Sequence, residues 1–230
     1  MVHGVSVVTA TYCERENIRP LVERVRRALE GVEHEIIVVD DTSPDGTYEE
    51  AAKWADRVLL MKRAGQTPCL LEGINAARYP VIVTLDADLE NPPELVPAML
   101  RVFEERGADL LVASRTFIPR VSERLATATV GRIVGVMDVF SNFRVYRRDR
   151  FAGYRLRLGE TFGGELLAYA LLSGFKIVEY QYVPPPRRAK PRIGGSFKAN
   201  ARILKATAKI LAWVAFRARD KKEKAKNELI

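Results

Sequence analysis

Apolar and polar positions along this chain follow two alternating periods. Val5-Ser6-Val7-Val8 is a short β-branched run with strand character. From Glu16 to Leu29, the residues Ile18, Leu21, Val22, Val25 and Leu29 recur at helical spacing. Glu35-Ile36-Ile37-Val38-Val39 predicts a second strand, ending in Asp40-Asp41, and Ser43-Pro44-Asp45-Gly46 has the composition of a turn. A helix is expected through Tyr48 to Trp54, a strand over 57–61, and a helix over 70–78. Val81-Ile82-Val83-Thr84-Leu85 is a fully apolar strand, Pro92-Pro93 opens a helix running to about Arg106, and Leu110-Leu111-Val112-Ala113 predicts the next strand. Continuous apolar strands separated by amphipathic helices predict a parallel sheet covered on both faces.

After Arg115 the alternation becomes irregular. The pattern predicts helix over 120–137, a short strand over 143–146, a helix over 161–173 and a strand over 176–183. Pro184-Pro185-Pro186 forces extended backbone, and a last helix is expected from Phe197 to about Arg217. Along it Lys198, Arg202, Lys205 and Lys209 form one stripe, with Ile203, Ile210, Leu211, Trp213, Val214 and Phe216 largely off it. Such a helix can lie in a membrane interface, or pack on its own domain or in a dimer. Residues 1–196 and 197–230 are therefore read as a main domain and a basic amphipathic helix with its tail.

Charge sharpens this division. The 230 residues carry a net +8, yet residues 184–230 hold 14 Lys and Arg against 3 Asp and Glu, and the first 183 hold 23 against 26. A basic tail on a slightly acidic body suits an anionic surface such as phospholipid headgroups. It does not suit nucleic acid, because the strand ends are acidic. Cys13 and Cys69 are too few for a disulfide framework and fit no zinc spacing. No run reaches the ~18 apolar residues of a spanning helix, and no leader pattern opens the chain. The expectation is a cytoplasmic chain, peripheral on the cytoplasmic face of the membrane. Thr9-Ala10-Thr11-Tyr12 lacks the glycine fingerprint that a dinucleotide enzyme needs after its first strand.

In open parallel sheets, ligands bind at the carboxyl ends of the strands. Here those ends carry Thr9, Thr11, Glu14, Asp40, Asp41, Asp86, Asp88, Ser114 and Arg115. Asp86-Ala87-Asp88 can bring two hard oxygens to one Mg²⁺ or Mn²⁺, which would neutralise a departing diphosphate. It can equally be a helix entry in which Asp88 or Asn91 caps the helix near Pro92. Asp40-Asp41 fits either a cap and turn or hydrogen bonding to a nucleobase or ribose. Two acidic strand ends side by side are costly without a ligand or cation.

These segments carry a family resemblance. Thr11-Tyr12-Cys13-Glu14-Arg15-Glu16-Asn17-Ile18 resembles the opening motif of inverting family-2 glycosyltransferases. Residues 38–47, reading VVDDTSPDGT, are similar to the nucleotide-binding segment of the dolichol-phosphate mannose synthase branch, and residues 84–94, reading TLDADLENPPE, resemble its metal motif. Val112-Ala113-Ser114-Arg115 and residues 138–144, reading DVFSNFR, are similar to its acceptor-side motifs. The resemblance spans about residues 5–198. It implies an α/β fold of the GT-A type, with a mostly parallel sheet sandwiched by helices. It implies transfer of a hexose, mannose favoured, from a nucleotide-sugar (GDP-mannose favoured, UDP-glucose possible) to a polyprenyl or dolichyl phosphate with inversion. By motif position, Thr11, Glu14, Asp40 and Asp41 would bind the nucleotide. Asp86 and Asp88, with Glu90, would bind the metal. Arg115 and Arg144 would hold the acceptor phosphate, and Arg192 would close over the phosphates. Asp88, Arg115 and Arg144 would thus carry the chemistry.

The ordinary alternatives are a salt bridge to an acidic neighbour for Arg115 and membership of a basic stretch with Arg147, Arg148 and Arg150 for Arg144. Glu160 and Glu165 are helix-start residues, or the base that hydroxyl-glycosylating relatives place in this region. The chain departs from the pattern at Gly65-Gln66-Thr67-Pro68, where a glycine-rich stretch is usual, at Glu90 for Gln, and at Asn142 for Gly. A transferase acting on a glycan hydroxyl and a non-catalytic sugar-nucleotide-binding relative are the competing functions.

Overall fold

The computed structural model describes residues 4–185 and 196–227. Seven strands form one sheet: β1 (Val5–Thr11), β2 (His34–Asp40), β3 (Arg57–Leu60), β4 (Val81–Thr84), β5 (Leu110–Arg115), β6 (Arg144–Arg147) and β7 (Ile177–Tyr182), in the spatial order β3-β2-β1-β4-β6-β5-β7. Pairings are parallel except where β6 meets β4 and β5. The helices are α1 (Arg15–Ala28), α2 (Thr47–Trp54), α3 (Gln66–Ala76), α4 (Val96–Glu105), α5 (Val121–Ala126), α6 (Arg132–Val134), α7 (Arg148–Phe151), α8 (Gly164–Leu172) and α9 (Ser196–Asn227).

Alternation within each strand divides the core. Val7, Ile36, Val38, Val83, Leu111 and Val145 face α1, α2 and α4, while Val8, Ile37, Val39, Ile82, Val112 and Tyr146 face α3, α8 and α9. Both faces are covered, as the continuous apolar runs require. Strand order reverses beside β1, whose neighbours are β2 and β4. In such sheets the ligand crevice is expected at this reversal, here the carboxyl ends of β1 and β4, where Thr11 and Asp86 emerge.

All seven expected strands are present, and the differences have local causes. The helix expected over 70–78 begins four residues earlier, at Gln66, because Pro68 fits a first turn and Glu160, distant in sequence, accepts the Thr67 N–H. The helix after Pro92 starts as a 3₁₀ turn, Pro93–Leu95. The helix expected over 120–137 is split by a π turn, Thr127–Gly131. The last helix runs ten residues beyond the expected end, to Asn227.

In α9, Ala199, Ile203, Ala206, Thr207 and Ile210 are buried against α5 and α8, and Ile210 joins the core. The first half of its apolar side thus packs on its own domain, leaving Phe197, Leu204 and Phe216 exposed. No helix among the described residues is long and apolar enough to cross a membrane.

Candidate active site

β6 explains how residues from both halves of the sequence reach one edge. Because it runs antiparallel, its first residue, Arg144, pairs with Thr84 at the far end of β4 and with Val112 of β5. An arginine at the start of one strand therefore lies at the same end of the sheet as aspartates that follow the end of another.

That edge is also where the backbone is strained. Cys13, Thr42, Arg63, Leu89 and Phe162 are the non-glycine residues with positive φ among the described residues. Four lie in the loops after β1 to β4, and Phe162 lies just before α8. Such conformations cost on the order of 1–3 kcal/mol each and gather at ligand-binding edges.

Among the residues expected to bind the nucleotide, the structure brings Thr11 and Asp40 together. The Thr11 hydroxyl donates to Asp40 Oδ1 at 3.0 Å, and the Ser43 N–H donates to Asp40 Oδ2 at 2.8 Å. Asp40 is fully buried, and Asp41 nearly so. The Asp41 carboxylate accepts the N–H groups of Ala64 (2.6 Å) and Gly65 (3.0 Å), fixing the loop before α3. It also lies beside the Cys69 thiol, whose pKa burial, then the charge of Asp41, push up to about 12. Glu14 accepts from Asn17 Nδ2 at 2.7 Å, while its backbone N–H donates to Thr47. The turn alternative for Asp40-Asp41 is thus visible in the geometry, and these carboxylates also sit at the crevice.

The helix-cap alternative for Asp88 and Asn91 is not borne out. The 3₁₀ turn at Pro93 has no side-chain cap. Asn91 instead accepts the Asp86 N–H at 2.8 Å, and Asp88 accepts the Glu90 N–H at 3.0 Å, so the loop folds on itself and presents its carboxylates. Asp88 is exposed, and Asp86 and Glu90 are partly so. The Asp86 carboxyl is raised to about 7, by burial first, then by the negative charge of Asp88, with Glu90 and Asp138 adding to it and Arg115 opposing.

This repulsion is what a cation would relieve, and the hard oxygens of Asp86 and Asp88 suit Mg²⁺ or Mn²⁺. Among the described residues no three His, Cys, Asp or Glu side chains gather as a metal-holding group. An ion held by Asp86 and Asp88 alone would need further oxygens, such as those of phosphate and water, to fill its shell.

The two arginines differ. Arg115 Nε donates to Asp138 Oδ2 at 2.6 Å and Nη2 to Asp138 Oδ1 at 3.2 Å, with Glu123 at 3.5 Å. Burial lowers its pKa, but the bonds and charge of Asp138 outweigh that and raise it. The acidic neighbour named as its ordinary alternative is present. Arg144 is completely buried, whereas Arg147 and Arg150 are exposed and Arg148 partly so. Its Nη1 and Nη2 donate to the carbonyls of Gly163 (2.7 Å) and Val139 (2.9 Å), its Nε has no partner among the described residues, and no carboxylate among them pairs with it. A buried guanidinium without a counter-charge is expensive unless an anion joins it. Arg192 lies outside the described residues.

Several residues hold this edge together in ways the sequence did not show: Glu160, Glu165 and Asn91 were named for other roles, and Gln66 and Tyr182 for none. Gln66 donates to Asp86 Oδ1 at 2.7 Å. Glu160 accepts the Thr67 N–H (2.9 Å), the Thr67 hydroxyl (2.6 Å) and the Phe162 N–H (2.6 Å). Glu165, fully buried, accepts the Tyr154 hydroxyl (2.8 Å) and the N–H groups of Arg157 (2.5 Å) and Leu158 (2.8 Å). Asn91 Nδ2 donates to the Tyr182 hydroxyl at 3.3 Å, placing β7 beside the Asp86 loop. The departure at residues 65–68 was the only signal for Gln66 and Thr67. Asp138 stood inside a recognised motif without a role.

Known proteins resemble this arrangement. Polyprenol monophosphomannose synthase of Mycolicibacterium smegmatis is 32% identical over 234 residues, covering 90% of this chain and 85% of that protein. Dolichol-phosphate mannosyltransferase of Pyrococcus furiosus is 30% identical over 199 residues, covering 77% of this chain. Dodecaprenyl-phosphate galacturonate synthase of Rhizobium johnstonii is 36% identical over 159 residues, covering 62% of this chain. The chain spans about half the length of the last two, 55% and 47% respectively. Among solved structures, glucosyl-3-phosphoglycerate synthase of Mycobacterium tuberculosis, in complex with Mn²⁺, UDP and glucosyl-3-phosphoglycerate, superposes with a TM-score of 0.74 at 19% identity, covering 91% of this chain and 79% of that one. That likeness establishes a GT-A-like fold. The family model described as glycosyl transferase family 2 matches residues 6–163, from the first strand through the loop that holds Arg144, and the chain belongs to that family.

Proposed function

We propose that this chain transfers a hexose, mannose favoured, from a nucleoside-diphosphate sugar to a polyprenyl or dolichyl phosphate, with inversion. The observation that carries the reading is Arg144: a completely buried guanidinium, without a carboxylate partner among the described residues, at the sheet edge that bears Asp86 and Asp88. Relatives named for polyprenol-phosphate and dolichol-phosphate mannose transfer support the same acceptor class.

Thr11, Glu14, Asp40 and Asp41 form the nucleotide end. Asp86 and Asp88, with Glu90 adding negative charge, would hold Mg²⁺ or Mn²⁺. When bound, the ion supplies charge neutralisation of the leaving nucleoside diphosphate. A phosphomonoester is already anionic near neutral pH, its second pKa being about 6, so it needs positioning more than a protein base. Arg144 supplies a permanent positive charge at the acceptor side. Arg115, clamped by Asp138, orders the 114–138 side of the crevice and lends it positive potential. Glu160 and Glu165, the carboxylates that a hydroxyl acceptor would recruit as base, are both occupied by hydrogen-bond donors. That favours the phosphate acceptor over the glycan hydroxyl.

Arg192, by motif position, belongs to the phosphate end. The basic α9, with Phe197 and Phe216 exposed, suits a peripheral seat on the cytoplasmic face of a membrane that carries the acceptor. Incubation with GDP-mannose or UDP-glucose, Mn²⁺ and undecaprenyl phosphate should yield a lipid-linked hexose, and Asp88→Ala should abolish it. Sugar transfer to a soluble glycan with none to the lipid phosphate would replace this reading with the hydroxyl one.

A further inference from the structure

The segment that departs from the family pattern, Gly65-Gln66-Thr67-Pro68, touches both ends of the crevice. Gln66 Nε2 donates to Asp86 Oδ1 at 2.7 Å. The next residue, Thr67, is completely buried, and its hydroxyl accepts the Gly163 N–H at 2.9 Å. The carbonyl of the same Gly163 accepts Arg144 Nη1 at 2.7 Å. One pair of neighbouring residues therefore connects the aspartate of the donor end to the arginine of the acceptor end.

The connection is locked from outside. Glu160 takes both the N–H and the hydroxyl of Thr67, and Asp41 takes the N–H groups of Ala64 and Gly65. A Cβ at Gly65 would stand 2.5 Å from Glu160 Oε2, so glycine leaves room for this clasp. The Thr67 hydroxyl acts at once as acceptor from Gly163 and donor to Glu160, a pair of roles that serine reproduces and valine cannot.

We infer that Gln66 and Thr67 form a two-ended positioning bridge, in which Gln66 sets the donor-phosphate aspartate and Thr67 separately sets the acceptor-phosphate arginine. The inference rests on the assignment of Asp86 and Arg144 under the proposed function. Thr67 acts through Gly163 on the acceptor end, and Gln66 acts directly on Asp86 at the donor end. Substituting the two residues should therefore weaken different ends, each leaving the other end intact. A loop that merely supported the fold would weaken both ends together.

Equilibrium binding tests this with two probes: farnesyl monophosphate for the acceptor end, and GDP or UDP with Mn²⁺ for the donor end. Thr67→Val should weaken farnesyl phosphate at least tenfold and leave nucleotide affinity within twofold. Thr67→Ser should restore the wild-type value within about threefold. Gln66→Leu should give the mirror pattern. Glu160→Gln, which keeps the size of the side chain, should weaken farnesyl phosphate in the same direction as Thr67→Val and stands in for it if that variant does not fold. Equal weakening of both probes, or of neither, in a variant that melts as the wild type does overturns the bridge and leaves the proposed function standing. A wild-type chain that binds nucleotide but no farnesyl phosphate overturns both.

Discussion

Asp86 should make the metal-free protein less stable than it could be. Its carboxyl is raised from 3.8 to about 7, chiefly by burial and then by Asp88. A carboxyl whose folded pKa lies above its unfolded value binds more protons when folded. Stability then falls as pH rises between the two values and stays low above the upper one. Three units correspond to about 4 kcal/mol as an upper bound. Asp86 is partly exposed, so solvent screening reduces this to about 2 kcal/mol. Asp86→Asn removes the charge and keeps an oxygen for Gln66 to bond. In EDTA at pH 8 the variant should melt about 4–8 °C above wild type, at roughly 2–4 °C per kcal/mol for a chain of this size. The gain should shrink as pH falls from 7 toward 4, where both states of the wild type become protonated. Added Mn²⁺ with nucleotide should stabilise the wild type and not the variant. Differential scanning fluorimetry across pH reads all of this. A variant no more stable than wild type at pH 8, or a gain equal at pH 4 and pH 8, would refute the reasoning.

Other substitutions separate holding from chemistry. Arg144→Met leaves two buried carbonyls short of a donor, at about 1–3 kcal/mol each, but removes an unpaired buried charge that costs several kcal/mol. Its melting temperature should stay within about 5 °C of wild type while lipid transfer falls at least ~100-fold in a radiolabel assay. Glu165→Gln should retain most transfer activity, because Glu165 holds the 154–158 loop; an abolished rate at unchanged folding would instead mark it as the base. Glu165→Ala should cost about 3–5 kcal/mol in urea unfolding, since three donors lose their acceptor. Gly163→Ala should destabilise the chain, because the new Cβ would lie 2.1 Å from Asn142 Oδ1 at a φ of +77°. Adding Asn142→Gly should recover the steric part of that loss, and an additive double variant would show that the two sites do not meet.

The sheet could be read from the sequence because both its faces are buried. Runs such as residues 36–39 and 110–113 are apolar on every position, a pattern that local sequence carries without knowledge of neighbours. The order of strands was less legible. Nothing near residues 143–146 says that β6 runs antiparallel between β4 and β5, since that pairing joins residues some 60 positions apart. The start of α3 was missed for the same reason: Glu160 meets the Thr67 N–H in its first turn and Asp41 holds the loop before it, which no local capping rule could find. Asp86 and Asp88 were visible as a strand-end pair, but their freedom from capping depended on Asn91 folding back to the Asp86 N–H. The motif singled out Arg144, but its basic surroundings left it open to reading as one member of a run, and burial is what sets it apart from Arg147, Arg148 and Arg150.

The inserted strand also governs when the chain becomes competent. During synthesis, β1 to β4 lie within the first 84 residues, and the β3-β2-β1-β4 sheet they form already bears Thr11, Asp40 and Asp41 at its edge. The guanidinium of Arg144 joins that edge only after another 60 residues have emerged, which at about 5–20 residues per second is a delay of several seconds. Until then the open side of β4 has no partner. The nascent molecule thus acquires the Thr11, Asp40 and Asp41 end of the site before the Arg144 end, and a complete site certifies that the centre of the sheet has been filled.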